Sequence, residues 1–342
     1  MTQHARRTGA ALLIALSPPS AVGAQTALQS LAAPVFDLGT AEGPEHLAFG
    51  EVADAAASAD GSRLFFLDRM RGRVSVFTRD GEFVTEAGSR GQGPSEFIQP
   101  HALTVMGSRI FVLDRGKMRV EVLAFEGDSL RFEGGFRMAF DADDLCALQG
   151  QLYFMAYANS HVVQRLSPDG TPISSFGDPF LTDPVLADAT AVAHLLCDER
   201  SQSLLVVGNL LPIVRRYDRE GRLRWETTLP GYTATVIDRS ERGGVRYSNP
   251  GTSIAPDLTI SAALFGDTLF VQFGKVASGM GSLQDVLEVR TVAVGVDTGE
   301  TVPVRARVPR IDKVLGDLAV SYANDPYPRI RGYRIRGSGR TP

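Results

Sequence analysis

The sequence lacks long apolar runs, a basic surface charge and the short motifs of several enzyme classes. Beyond the N-terminal region no segment is apolar enough to span a bilayer, so we expect no transmembrane segment. The net charge is −4 and no basic run precedes the C-terminal tail, so we expect no nucleic-acid partner. The motifs G-x-S-x-G and H-E-x-x-H and the acidic calcium loop of EF-hands are also absent, which leaves nucleophilic and zinc-peptidase catalysis without support.

The N-terminus has the three parts of a secretory signal. Arg6 and Arg7 precede an apolar run over 10–16, and the small residues at 22–24 form a cleavage site. The apolar run is much shorter than the roughly 20 residues that a membrane span requires. We therefore predict a cleaved signal peptide over residues 1–24 and a periplasmic or secreted mature chain.

A repeated strand pattern dominates the rest of the chain. Residues 60–83 align without a gap with residues 106–129, and each copy contains Leu-Asp-Arg followed by Arg-Val. Weaker copies begin near residues 149, 201, 265 and 315, and helical periodicity of useful length is absent. Six copies of four strands, spaced by about 45 to 50 residues, predict an all-β, six-bladed β-propeller with four-stranded antiparallel blades. We expect residues 25–342 to form this single domain, because a two-domain β-sandwich does not explain the repeat.

The two ends of this domain are predicted to close the ring. The last copy ends at its third strand, over 329–335, and the alternating stretch at 34–40 can supply the fourth strand, which leaves no open sheet edge. The arginine-rich tail is interpreted as this closing strand, with outward arginines, followed by a frayed end. Its arginines are Arg329, Arg331, Arg334, Arg336 and Arg340.

The stretch GSRGQGPSEFIQP at 88–100 has glycines spaced as in a phosphate loop. Pro94 and Ser95 stand where such a loop needs Lys followed by Ser or Thr, so we do not interpret it as one. A similar Gly-Pro pair occurs 50 residues earlier, also between two blades. We interpret both stretches as connectors in which Phe49 or Phe97 wedges between sheets.

These features resemble the six-bladed β-propeller proteins of the NHL-repeat type that bacteria export. The resemblance rests on the Gly-Pro connectors, the repeated strand pair and the arginine-rich closing strand, and it covers nearly the whole mature chain. It implies a secreted or periplasmic location and usually a binding role. Such a fold does not by itself fix the function.

Polar residues stand at nearly equivalent positions of five inner strands. They are Asp54, His101, Asp144, His194 and Asp312, whereas the fifth copy offers only Ser261. We expect these side chains at the mouth of the central channel and name the five as candidate binding residues, without assigning a catalytic residue. Imidazoles and carboxylates there could hold calcium or zinc and activate water, which resembles the chemistry of propeller lactonases and of the amidating lyase. The interpretation we favour is a polar lining of a water-filled channel with no cofactor.

Two insertions lengthen one rim of the predicted ring. Residues 231–253 extend the connector into blade 5, and residues 275–286 extend the loop between that blade's second and third strands. Loops of this length are often functional, although neutral insertion is an equally good explanation. We predict a monomeric binding module that recognises a protein, peptide or glycan at this loop-rich face. The alternatives are a metal-dependent hydrolase or lyase at the channel mouth and a structural module of an envelope assembly.

Five further positions are interpreted as structural. The repeated Asp68 and Asp114 are expected to accept hydrogen bonds from loop N–H groups after their strands, rather than to bind a ligand. An even number of cysteines in an exported chain suggests a bond between Cys146 and Cys197. Neighbouring inner strands are expected to splay beyond the roughly 7 Å that a disulfide allows, which favours two buried thiols. Trp225 is expected to pack between blades.

Overall fold

The strands form six four-stranded antiparallel sheets, each of them one blade, and one separate hairpin. The computed structural model describes residues 34–251, 255–276, 286–305, 308–323 and 326–335. The predicted signal peptide, most of the insertion at 275–286, Arg336 and Arg340 lie outside the described residues. The chain is a six-bladed β-propeller, as predicted.

In the first five blades the strands follow one another in chain order from the channel outwards. The last blade begins in the same way, but its outer strand comes from the start of the domain. The first strand, β1 (Phe36–Leu38), belongs to the last blade. Blade 1 contains β2 (Val52–Ala57), β3 (Arg63–Asp68), β4 (Arg73–Thr78) and β5 (Phe83–Ala87). Blade 2 contains β6 (Pro100–Met106), β7 (Arg109–Asp114), β8 (Arg119–Glu126) and β9 (Ser129–Arg137). Blade 3 contains β10 (Asp144–Leu148), β11 (Gln151–Ala158), β12 (His161–Leu166) and β13 (Pro172–Phe176).

The second half of the ring repeats this order. Blade 4 contains β14 (Ala193–Asp198), β15 (Ser203–Gly208), β16 (Ile213–Asp218) and β17 (Leu223–Thr228). The separate hairpin consists of β18 (Val236–Arg239) and β19 (Val245–Ser248). Blade 5 contains β20 (Asp257–Phe265), β21 (Thr268–Val276), β22 (Val286–Gly295) and β23 (Thr301–Val304). Blade 6 contains β24 (Lys313–Leu315), β25 (Leu318–Ala323) and β26 (Arg329–Arg334), with β1 as its outer strand.

The core lies between the blades. Central strands such as β3 are apolar at successive positions because both of their faces pack against neighbouring sheets. Within the described residues the buried apolar side chains form six clusters, and each cluster joins two adjacent blades. Phe49 and Phe97 wedge between blades, in the clusters at the two sides of blade 1. Trp225 packs between blades 4 and 5, and its Nε1 donates to the carbonyl oxygen of Val296 at 2.9 Å.

The ring closes where β1 pairs antiparallel with β26. Phe36 lies opposite Gly332 in this pairing, and Phe36 is only 6% exposed. Asp37 accepts hydrogen bonds from Nε of Arg329 at 3.0 Å and from Nε of Arg331 at 3.1 Å. The predicted closure by the N-terminal strand is confirmed, and it covers the edge that blade 6 would otherwise expose.

The repeated aspartates hold the connectors in place. Asp68 accepts hydrogen bonds from the backbone N–H groups of Gly50 at 2.7 Å, Glu51 at 3.1 Å and Arg71 at 3.0 Å. Asp114 makes the three equivalent bonds one blade later. Each carboxylate thus joins the connector that enters its blade to the loop that follows the second strand, which agrees with the structural interpretation.

A short helix, α1 (Pro184–Thr190), lies in the connector between blades 3 and 4 and was not predicted. The side chain of Asp183 caps it by accepting from the N–H groups of Val185 at 2.9 Å and Leu186 at 3.2 Å. Seven residues are too few to show helical periodicity. The Asp-Pro pair at its start, an N-cap followed by proline at the first helical position, is the signal that could have revealed it.

Cys146 and Cys197 form a disulfide bond, so the expectation of two buried thiols is wrong. Their Cα atoms are 5.7 Å apart. A hydrogen bond between a backbone N–H and a side-chain carboxylate holds the two inner strands close at this point: the N–H of Leu195 donates to Oδ2 of Asp144 at 2.8 Å. Cys146 lies two residues after Asp144, and Cys197 lies two residues after Leu195.

Candidate functional site

A cavity of about 730 Å³ lies at one mouth of the central channel and is lined by residues from all six blades. The lining comes from the first residues of inner strands and from the ends of second strands. Those positions share a rim with the connectors between blades. Because α1 and the β18–β19 hairpin are both parts of such connectors, the cavity opens on the loop-rich face.

All five candidate binding residues line this cavity. They are Asp54, His101, Asp144, His194 and Asp312, and Ser261 of blade 5 lines it as well. The expectation that these five side chains lie at the mouth of the channel agrees with the cavity lining, and their role in binding stays a prediction. Their contacts differ from blade to blade, however, and several residues with equal access to the cavity were not singled out.

The carboxylates of Asp54 and Asp144 link neighbouring blades. Oδ2 of Asp54 accepts from the N–H of Leu103 in blade 2 at 2.9 Å, and Oδ2 of Asp144 accepts from the N–H of Leu195 in blade 4 at 2.8 Å. Burial raises the pKa of Asp144 to about 6, against the opposing charge of Lys313. Part of what these two residues do is therefore structural, because each satisfies a backbone donor of the next inner strand.

Blade 5 makes the same link with a residue of its second strand. Oε1 of Gln272 accepts from the N–H of Ile311 in blade 6 at 2.7 Å and from the hydroxyl of Ser261 at 3.2 Å. Gln272 is 1% exposed. Ser261 thus contacts the amide that takes the part of the linking carboxylates of blades 1 and 3.

Lys313 brings a positive charge into the ring. Its Nζ lies 2.7 Å from Oδ1 of Asp54. Burial would lower the pKa of Lys313, but the carboxylates of Asp54 and Asp144 outweigh burial and raise it. Lys313 was not predicted to face the channel, because it directly follows Asp312 in the chain and alternation along a strand normally sends adjacent side chains to opposite sides.

Asp312 is buried and His194 is partly buried, and in both cases burial favours the neutral form of the side chain. Burial raises the pKa of Asp312, although Nη2 of Arg310 lies 2.6 Å from its Oδ1. Burial and the charge of Lys313 lower the pKa of His194 to about 4. The imidazole of His194 is therefore neutral near pH 7.

His101 belongs to a chain of polar contacts that crosses blades 1 to 3. Its Nδ1 lies 3.2 Å from Nη2 of Arg69, and its Nε2 lies 3.5 Å from Oδ1 of Asp143. Arg69 also pairs with Glu51 at 3.2 Å, and Arg115 donates to Asp143 at 3.1 Å. In the repeated Asp-Arg pairs, the aspartates thus fix connectors while the arginines extend towards the site.

Four buried polar atoms of cavity residues have no hydrogen-bond partner within the described part of the chain. They are Nε of Arg69, Nε2 of His194, Oδ1 of Asn209 and the hydroxyl of Tyr322. Folded proteins rarely leave such atoms unpaired. These four atoms are exceptions to that rule, and each is almost completely closed to solvent, including the space inside the cavity.

The described residues contain neither a metal-binding cluster nor a membrane-spanning helix. Within the ranges described above, no group of three or more His, Cys, Asp or Glu side chains is arranged to hold a metal ion. In the same ranges, no helix has the length and apolar character needed to cross a membrane. The metal hypothesis stays a prediction.

Comparison with known proteins agrees with the fold. Residues 48–167 match the family model DUF5128, described as a 6-bladed beta-propeller. A search of curated proteins gave no significant sequence match. The fold is also similar to solved structures of different proteins.

The first similar structure is a Bacteroides fragilis protein described as exported. It shares 14% identity and a TM-score of 0.61, over 88% of this chain and 94% of that one. The WD40 repeats of RRP9 share 14% identity and a TM-score of 0.52, over 83% of this chain and 94% of theirs. The structure of U3-55K shares 13% identity and a TM-score of 0.52, over 82% and 95%. At these identities the likeness shows the propeller fold alone.

Proposed function

We propose that this chain is an exported binding module that recognises a protein, peptide or glycan at its loop-rich face, with the channel-mouth cavity as the centre of the site. The observation that carries the proposal is the convergence of polar atoms from six blades on one cavity of about 730 Å³. Ligand sites are typically concave, of roughly 300 to 1,000 Å³, with a few convergent polar groups. The predicted signal peptide supports the exported location.

The insertion before blade 5 supports the choice of face because it is firmly anchored at its base. Asp257, fully buried, accepts from the N–H of Thr233 at 2.7 Å and pairs with Arg290 and with Lys275. Because Thr233 lies near the start of the insertion, its hydrogen bond to the buried carboxylate of Asp257 fixes the base of this segment. Such anchoring is more than a neutral insertion requires.

The hairpin of this insertion also contacts α1. Arg239 of β18 lies 3.2 Å from the helix-capping carboxylate of Asp183. Three apolar side chains of these two elements are exposed: Val185, Val236 and Tyr247. Tyrosine and aliphatic side chains of this kind supply contact area for a macromolecular ligand.

The proposal is tested with labelled full-length protein, a glycan array and a peptide library. Binding should be weakened by Asn209→Ala in the cavity, or by replacing residues 236–248 with a short Gly-Ser linker. Glu126→Ala, on the opposite rim, is the matched control and should leave binding unchanged. Binding that neither change affects would contradict the assignment to this face. Metal analysis of the same preparation tests the hydrolase or lyase alternative, which has only the position of the polar ring in its favour.

A further inference from the structure

We infer that the edge of β19 binds an extended peptide segment of a protein partner, which joins the separate β18–β19 hairpin as a third strand. The inference rests on the proposed function and narrows its three ligand classes to a peptide segment. It places the first contacts of that segment on backbone groups of the hairpin, on the same loop-rich face as the cavity.

The first argument is that the outer edges of the blades are blunted, whereas the hairpin is regular. A β-bulge interrupts the pairing of the outer strand with its neighbour in blades 1 to 4. The outer strand of blade 5 contains Pro303, and that of blade 6 has only three residues. Bulges, prolines and very short strands are the devices by which sheets avoid the addition of another strand. The β18–β19 ladder pairs four residues of each strand without a bulge and contains no proline.

The second argument is the direction of the backbone groups of β19. The N–H of Ser240 donates to the carbonyl oxygen of Gly244 at 2.8 Å, which fixes the phase of the ladder. Because bonded and non-bonded pairs alternate along antiparallel strands, the N–H and C=O groups of Val245 and Tyr247 point away from β18. Among the described residues, no backbone group outside the hairpin bonds to them. The edge of β19 therefore offers two donors and two acceptors at the spacing of a strand.

The third argument is that the hairpin has little packing of its own. None of the residues of β18 and β19 is buried. The two-turn helix α1 contacts both strands, so it covers a face of the hairpin rather than an edge. Two-stranded sheets are marginally stable in water, and a third strand adds substantially to their stability. A bound peptide strand would thus stabilise the hairpin as well as being held by it.

The side chains favour β19 over β18 and define the peptide. β18 carries the adjacent charges of Asp238 and Arg239, which discourage pairing at an edge, whereas β19 carries only Arg246. Alternation places Val245 and Tyr247 on one face of the hairpin and Arg246 on the other. Tyr247 is 43% exposed, and the side chain of Arg246 is 60% exposed. The matching segment therefore alternates apolar side chains, which pack beside Val245 and Tyr247, with a carboxylate beside Arg246.

The test uses the full chain with three groups of probes: short peptides in which apolar and acidic residues alternate, the same peptides scrambled, and neutral oligosaccharides. The alternating peptides should bind. Tyr247→Pro removes an N–H that points towards the peptide and no hydrogen bond within the hairpin, so it should weaken binding by roughly tenfold. Tyr247→Ala keeps the N–H and should weaken binding less. Hydrogen exchange at Val245 and Tyr247 should become slower when the peptide binds.

Ile237→Pro is the matched control, because it makes the same change at the edge of β18. It should leave affinity unchanged, and Arg246→Glu should shift the preference from acidic to basic peptides. Thermal melting verifies that each variant keeps the propeller. Peptide binding that Tyr247→Pro does not weaken more than Ile237→Pro would overturn the inference while retaining the proposed function. Binding of oligosaccharides without binding of peptides would do the same, and failure of every probe to bind would overturn both.

Discussion

Removal of the disulfide between Cys146 and Cys197 should lower the stability of the propeller substantially. The bond joins β10 of blade 3 to β14 of blade 4 across a sequence separation of 51 residues. In the chain-entropy treatment, a cross-link that closes a loop of this length restricts the unfolded chain by about 4 kcal/mol at 25 °C. We therefore expect the double variant Cys146→Ala/Cys197→Ala to lose about 3 to 4 kcal/mol of unfolding free energy.

Urea unfolding measures this loss, with the fluorescence of Trp225 as a probe of packing between blades 4 and 5. Reduced wild-type protein should resemble the double variant, because both lack the same cross-link. The reductant should leave the double variant itself unchanged. A loss below about 1 kcal/mol, or two free thiols titrated in unfolded, unreduced wild-type protein, would refute the reasoning.

Three further predictions concern the connectors, the ring closure and the charge of the cavity. Asp114→Ala removes three hydrogen bonds that backbone N–H groups donate to the carboxylate, so it should lower the unfolding free energy by about 2 to 4 kcal/mol in the same urea assay. The control Glu126→Ala, at an exposed position, should change that free energy by less than about 0.5 kcal/mol. Phe36→Ala in the closing strand should cost about 3 to 5 kcal/mol, and a cost below about 1 kcal/mol would contradict its place in the core. Burial raises the pKa of Asp144 to about 6 and lowers that of His194 to about 4, so acidification from pH 6 to pH 4 stabilises the fold through Asp144 and destabilises it through His194. On acidification, the unfolding free energy should therefore fall relative to wild type in Asp144→Asn and rise relative to wild type in His194→Phe. Urea unfolding at several pH values measures how the free energy of each variant changes with pH, and the two variants should change in opposite directions.

The sequence was sufficient for the architecture because the repeat is gapless over blades 1 and 2 and its spacing matches one blade. The same register located the five cavity residues, since equivalent positions of inner strands point to the same channel. The role of Asp68 and Asp114 also followed, because a residue that recurs in phase with a structural repeat usually serves that repeat.

What could not be predicted depends on distances between strands that are remote in sequence. The bond between Cys146 and Cys197 requires that two inner strands approach within bonding range, which no spacing in the chain encodes. The approach of Lys313 to Asp54 joins the last blade to the first. Asn209 and Tyr322 lie at or just beyond the ends of second strands, and an alignment of inner strands does not include those positions.

The pairing of β1 with β26 also determines how the whole molecule would be oriented if it were tethered. Ala323, at the end of β25 that lines the cavity, lies opposite Arg329, whereas Leu318 at the other end lies opposite Arg334. Phe36, at the start of β1, pairs near that same far end of β26. The chain therefore enters and leaves the propeller at the rim opposite the cavity. A fusion partner or immobilising tag at either end of the propeller would leave the mouth of the cavity facing outward, away from its support.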